Sequence, residues 1–191
     1  TRSGDAMLLI NPHTSFFFRG EMHVVSEEGL NAYGAVTWGQ FFIYQGFNEK
    51  TGWMHTSTGT DIIDEFTETI VKSDAGIQYQ YGKELLPVDS VKVSLNYITD
   101  KGVSSKDFTM YRTHHGPITH AEGEKWVATA LMWSPIKALE QSFTRTKNSN
   151  HDEFYKMMDI RTNSSNNTVY ADADGTIAYY HGNFIPKRNE K

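Results

Sequence analysis

Eight histidines and a short run of acidic residues are the first candidates for chemistry in this chain of 191 residues. His114, His115 and His120 lie close in sequence, but neighbours in a strand point to opposite faces, so the adjacent pair does not read as shared metal ligands. No His-Glu-x-x-His spacing accompanies them. From spacing alone the isolated His13, His23, His55 and His181 read as structural residues. Asp61, Asp64 and Glu65 stand where polar sequence meets apolar sequence. Carboxylates placed this way hold calcium when backbone carbonyls complete the shell, and they also make a solvated strand edge. Spacing alone favours the edge. Asn163-Ser164-Ser165 and Asn166-Asn167-Thr168 fit the glycosylation sequon, a pattern short enough to arise by chance. The chain has no Gly-x-Ser-x-Gly elbow, phosphate loop or dinucleotide fingerprint.

Composition narrows what could position these groups. Hydrophobic residues make up 38%, charged residues 21% and aromatic residues 13%, the profile of a folded domain. The net charge of −5 leaves no general basic face for nucleic acid. No apolar run approaches the ~20 residues of a membrane-spanning helix. With no cysteine there is no disulfide, thiolate nucleophile or thiolate-held metal. Neither nucleic acid nor membrane is an expected partner.

The first two-thirds read mostly as strands. Ala6–Ile10, Met22–Val25, Ala32–Val36, Phe41–Tyr44 and Trp53–Thr58 are short runs rich in aromatic and β-branched residues, punctuated by glycine. Ile62–Val71, Val88–Leu95 and Phe108–Tyr111 continue the series, with Val91, Val93 and Leu95 sharing one face. Ser134-Pro135 opens a helix in which Ile136, Leu139 and Phe143 recur at helical spacing. A second helix starts at Asn150 or Asp152 and carries Phe154, Met157, Met158 and Ile160. Asn163–Asn167 reads as a polar turn before strands at Val169–Ala171 and Ile177–Tyr180, joined by an Asp174-Gly175 hairpin signal. The class is α+β, one strand-rich domain with two late helices. The start beside an apolar run, and the polar tail after Pro186, read as a processed piece of a larger protein.

Four stretches together resemble the penicillin amidases, the family of penicillin, cephalosporin and acyl-homoserine-lactone acylases. Ala6-Met7-Leu8-Leu9-Ile10-Asn11-Pro12-His13 resembles the strand ending in Asn-Pro-His near the start of the family's large subunit. Trp53-Met54-His55-Thr56-Ser57 followed by Asp61-Ile62-Ile63-Asp64 is similar to its Trp-Gly-x-Thr and Asp-x-x-Asp. Tyr111-Arg112-Thr113-His114-His115-Gly116-Pro117 is close to its Arg-Thr-x-His-Gly-Pro. Asn167-Thr168-Val169-Tyr170-Ala171-Asp172 with Gly175 and Ile177 is like its Asn-x-x-Tyr-Ala-Asp-x-x-Gly-Asn-Ile. The four occur in the family's order across nearly the whole chain.

The resemblance implies part of an N-terminal-nucleophile hydrolase domain of αββα sandwich type, residues 1–191 forming one partial large-subunit domain. It implies hydrolysis of a linear amide, such as a β-lactam side chain or an N-acyl-homoserine lactone, by an N-terminal Ser lying upstream of Thr1. That serine's own α-amino group, with a pKa of ~7.7–8.0, suits the base role. The oxyanion donors it implies are the Asn167 side chain and the Ser57 backbone N–H, with His13 beside the amino group and Arg188 in support. Phe16, Phe17 and Trp53 are implied acyl-pocket residues, although the phenylalanines could equally be core. Asp61, the Ile63 carbonyl and Asp64 match a structural calcium site; no cofactor is implied for catalysis. The implied partners are a small-molecule acyl amide and the small subunit of the same precursor, and the implied compartment is periplasmic or extracellular. Without nucleophile and small subunit, this piece alone is expected to be inactive. The alternative is a member that has lost its nucleophile and serves as a binding or scaffold protein.

Overall fold

Strand-forming runs dominate the first 130 residues of the computed structural model, which describes residues 2–4, 6–11, 13–74, 76–131, 134–162, 166–181 and 184–189. The first strands are β1 (Arg19–Ser26), β2 (Leu30–Thr37), β3 (Gln45–Asn48) and β4 (Thr51–Ser57). Then come β5 (Asp64–Ser73), β6 (Gly76–Tyr81), β7 (Glu84–Pro87), β8 (Asp89–Thr99), β9 (Gly102–Thr113), β10 (Gly116–Glu122) and β11 (Lys125–Ala130). Helices α1 (Pro135–Arg145) and α2 (His151–Met158) precede β12 (Asn166–Asp172) and β13 (Ile177–His181). The fold is the expected strand-rich α+β class with two late helices. The chain separates into two compact units, Thr1–Ile62 with Met132–Lys191, and Ile63–Leu131.

The first unit is built on a six-stranded sheet in the order β1-β2-β3-β4-β12-β13. Period-two alternation in β4 buries Thr51, Trp53 and His55, and in β12 Thr168, Tyr170 and Asp172. These residues face the helices: Ala32, Val36, Ile43, Trp53 and Tyr170 pack with Phe154, Met157 and Met158 of α2. One helical layer on one sheet face is half of an αββα arrangement. The other face carries Tyr33, Phe47 and Tyr179, all exposed.

Gly34 and Gly46 sit directly opposite each other on β2 and β3. A Cβ on Gly34 would stand 2.1 Å from the Gln45 carbonyl oxygen, and one on Gly46 would stand 2.1 Å from that of Tyr33. Gly34 also has φ +152°, on the side that side chains rarely adopt. Gly34→Ala is therefore expected to cost at least the ~1–3 kcal/mol of backbone strain, read as a lower urea midpoint with an unchanged m-value.

Helix α2 begins as its sequence directs. Asn150 Oδ1 accepts the Glu153 N–H at 3.0 Å, and Glu153 Oε2 accepts the Ser149 N–H at 2.8 Å. Helix α1 has Pro135 in its first turn but turns a different face inward than its periodicity predicts. Ile136 and Leu139 are exposed, while Gln141 and Arg145 are buried. The buried polar residues of this helix reach backbone groups of the following segments. Gln141 Oε1 accepts the Thr162 N–H at 3.0 Å, and Asn48 Nδ2 donates to the carbonyls of Thr146 and Asn148 beyond the helix end.

The second unit is a seven-stranded antiparallel sheet in the order β7-β6-β5-β11-β10-β9-β8. Ile70, Tyr79 and Trp126 form its core, flanked by Ile77, Leu86, Tyr111 and Ile118. The expected alternation in β8 is present, but Val91 and Leu95 are exposed. His114 and His115 do not alternate across a strand; they occupy the turn between β9 and β10, with ring centres 3.7 Å apart. His115 Nδ1 lies 2.8 Å from the buried Glu68 carboxylate, which also accepts the Thr113 hydroxyl at 2.8 Å.

Two predicted strands are absent. Ala6–Ile10 belongs to no strand, because no neighbour pairs with it among the described residues. Phe41–Tyr44 is a bend preceding β3; Phe42 and Ile43 are apolar because they are buried there. Asn166 and Asn167, expected in a turn, open β12. Pro12 of the Asn-Pro-His motif and the sequon Asn163-Ser164-Ser165 lie outside the described residues.

Candidate active site at the β4–β12 end

The pairing of β4 with β12 brings two distant motifs into register. Asn166 faces Ser57 and Asn167 faces Thr56, while on the other side of β12 Asn167 faces His181 of β13. Thr56, Asn167 and His181 therefore form a row across three strands, on the face away from the helices. His181 Nδ1 lies 2.6 Å from Asn167 Oδ1, and Asn167 Nδ2 donates to Thr56 Oγ1 at 3.5 Å. The oxygen of the Asn167 amide is occupied by the imidazole, which fixes the orientation of its NH2 group. Ser57 is exposed at the last position of β4, where it pairs with Asn166.

The helix-side face at the same strand ends is polar and buried. His55 Nδ1 lies 2.8 Å from Thr168 Oγ1, and its ring centre is 5.0 Å from that of Tyr44. The Tyr44 hydroxyl accepts from Asn166 Nδ2 at 3.3 Å. Burial holds His55 well below its ordinary value, assisted by the positive charges of Arg145 and Arg19. A folded-state value lowered in this way adds stability that is complete above about pH 6.5 and is lost as pH falls below it. Urea unfolding is expected to show stability falling toward pH 5, by up to about 1.4 kcal/mol per pH unit from this group. His55→Gln should flatten that limb.

The remaining predicted site residues are scattered. His13 is exposed on the segment before β1 and makes no hydrogen bond or ring contact to Ser57 or Asn167 among the described residues. Phe16 and Phe17 are exposed and pack edge-on against each other, with Phe17 also near Trp38. Trp53 has no exposed surface; it lies in the core, its Nε1–H donating to the Tyr44 carbonyl at 3.0 Å. Arg188 Nη2 lies 3.2 Å from Asp61 Oδ1 and donates to the Asp61 carbonyl at 3.4 Å. Ile63 and Asp64 open the second unit, Ile63 exposed and Asp64 at the first position of β5. Among the described residues no three His, Asp or Glu side chains cluster as metal ligands. A cavity of about 690 Å³ lies at the far end of β4 and β12, bordered by Thr51, Asp172, Phe47 and Leu8. None of the predicted site residues lines it.

Sequence reasoning treated His181 and His55 as structural and passed over Tyr44, Asn166 and Arg145. The register of β12 against β4 and β13 brings His55, Asn166 and His181 to these strand ends, and only the Trp53–Ser57 and Asn167–Asp172 motifs hinted at that register.

The sequence pattern of the family described as Penicillin amidase matches residues 1–191. The chain belongs to the penicillin amidase family. A solved structure of a thermostable penicillin G acylase from Alcaligenes faecalis resembles it with a TM-score of 0.68 at 21% sequence identity. The match covers 86% of this chain but 29% of that one, so this penicillin amidase chain spans under a third of the acylase's length.

Proposed function

We propose that this chain is part of an amidohydrolase that cleaves a linear acyl amide with an N-terminal Ser carried upstream of Thr1. The observation that supports the reading is the register of β4 against β12, which pairs Asn166 with Ser57 and Asn167 with Thr56 and so brings the two motifs to one end of the sheet, in a chain that matches the penicillin amidase family throughout. The serine hydroxyl attacks the carbonyl while its α-amino group takes the proton through a water. The Asn167 NH2 and the Ser57 N–H receive the developing oxyanion, and His181 holds the Asn167 amide in place. His13 and Arg188 take supporting positions around the amino group, and Phe16, Phe17 and Trp53 shape or back the acyl pocket. Residues 1–191 make one partial N-terminal-nucleophile domain, completed by a small subunit of the same precursor, in the periplasm or outside the cell.

Calcium fits the present donors poorly. Asp61, the Ile63 carbonyl and Asp64 supply too few oxygens for the about six to eight that calcium takes, and Asp61 is already paired with Arg188. A calcium role for these three residues needs ligands from the small subunit and a displaced Arg188.

The test is intact mass and N-terminal sequencing of the full-length parent, followed by hydrolysis of phenylacetyl and long-chain acyl amides. A large subunit beginning with Ser, and hydrolysis by the processed protein but not by residues 1–191 alone, is the expected result. An unprocessed, inactive parent overturns the reading and leaves a nucleophile-less binding or scaffold protein.

A further inference from the structure

Strand β8 is the outer strand of the second unit's sheet, and only β9 pairs with it among the described residues. It keeps an unbroken register with β9, from Asp89 opposite Arg112 to Thr99 opposite Gly102, with no bulge. The sheet's other edge, β7, is four residues long and ends on Pro87. Short length, proline, bulges and repeated charges are what keep an edge from pairing with a further strand. Strand β7 has two of these devices. Strand β8 has eleven residues and, between its ends, the single charge of Lys92.

One face of this edge is also apolar. Val91 stands opposite Met110 and Val93 opposite Phe108, with Leu95 and Tyr97 continuing the same face of β8. Val91, Leu95, Tyr97 and Met110 are each half exposed or more. Tyr111, which packs with the unit's core, points to the other face of β9. The unit's own core therefore leaves this stripe uncovered.

The sequence of β8 is complementary to itself. Antiparallel pairing with a second β8, centred on Leu95, sets Ser94 against Asn96 of the partner subunit and Val93 against the partner's Tyr97. Val91 then meets the partner's Thr99, and the apolar stripes of the two copies join across the axis. At the ends Asp89 meets the partner's Lys101, and Lys92 lies diagonal to the partner's Asp100. Asp89, Lys92, Asp100 and Lys101 are in no ion pair among the described residues. No like charges face each other in this register.

We propose that the protein forms a symmetric dimer in which β8 pairs antiparallel with β8 of a second copy, Leu95 lying on the twofold axis. The interface is isologous, so each complementary contact occurs twice, and the two sheets become continuous. The inference goes beyond the amidohydrolase reading and places no residue in the reaction, so either can fail without the other.

Sedimentation velocity of the processed full-length protein at tens of micromolar should report a dimer. Leu95→Lys sets two cations against each other on the axis and should weaken association about tenfold or more, at an unchanged melting temperature. The 191 residues contain no cysteine, which allows a second test. With any cysteine elsewhere in the parent replaced by Ser, Leu95→Cys should give a covalent dimer on mild oxidation. Val91→Cys should not, because this register holds the two copies of that position about 27 Å apart. A monomeric wild type overturns the proposal. So does a dimer that Leu95→Lys leaves intact, or a Leu95→Cys variant that cross-links no better than Val91→Cys.

Discussion

Replacing Asn167 by Ala in the processed parent is expected to lower kcat by ~10²–10³ while KM changes little. The asymmetry follows from where the donor acts. The substrate carbonyl carries little charge, the tetrahedral intermediate carries a full one, and a donor aimed at the latter contributes to kcat alone. Asn167 suits this task because His181 Nδ1 lies 2.6 Å from its oxygen, which assigns the other end of the amide as the NH2 donor. Its other neighbour, Thr56 Oγ1 at 3.5 Å, is a long and weak competitor for those hydrogens. Asn167→Asp should be worse than Ala, since a carboxylate there repels the developing oxyanion. A loss below tenfold in Asn167→Ala, in protein whose melting point is unchanged, would remove Asn167 from this role.

Trp53→Ala is expected to destabilise the first unit by ~3–5 kcal/mol, a large share of the stability of any domain. The indole has no exposed surface and lies against Phe154, Met157 and Met158 of α2 and Tyr170 of β12. Its removal leaves a void between sheet and helix and orphans the Tyr44 carbonyl that accepts its N–H at 3.0 Å. Trp53→Phe keeps most of the volume and loses the hydrogen bond, so it should fall between wild type and Ala. Chemical denaturation followed by circular dichroism reads the series. If Trp53→Ala unfolds at the wild-type urea midpoint, the packing described here is wrong.

Strand positions were legible where alternation coincided with burial. That holds for β2, β4 and β5, whereas β1, β8 and β9 were marked by an apolar pattern although most of their residues are exposed, and Asp174-Gly175 turns the β12–β13 hairpin. Asp172 Oδ1 there accepts the N–H groups of Asp174 and Thr176 at 3.0 and 2.9 Å. Strands β6, β7, β10 and β11 escaped notice because each is short and mixes polar with apolar residues, and their signal sits in turn glycines such as Gly82 and Gly123 at positive φ. Phe42 and Ile43 misled because burial, not pairing, made that run apolar. Arg145 was invisible for the opposite reason. A charged residue at the end of an amphipathic helix reads as solvent-facing, and only the fold turns it inward. Of the candidate site, the two motifs supplying Ser57 and Asn167 were readable by resemblance, whereas the Thr56–Asn167–His181 row required the register.

The β4–β12 ladder has a consequence for the order of folding. Asn167 meets Thr56 across 111 residues of chain, so the proposed oxyanion donors are among the last parts of the first unit to come together during synthesis. Closing so long a loop is entropically costly, but the intervening segment shortens it by folding on its own. Ala130 pairs with Asp64 at the two ends of the second unit, so once that sheet forms its chain termini stand a strand's spacing apart. The long detour then costs little more than a tight turn. A folded second unit thus shortens the loop that the β4–β12 ladder must close, and a variant that slows its folding should delay pairing of β4 with β12 without touching either strand.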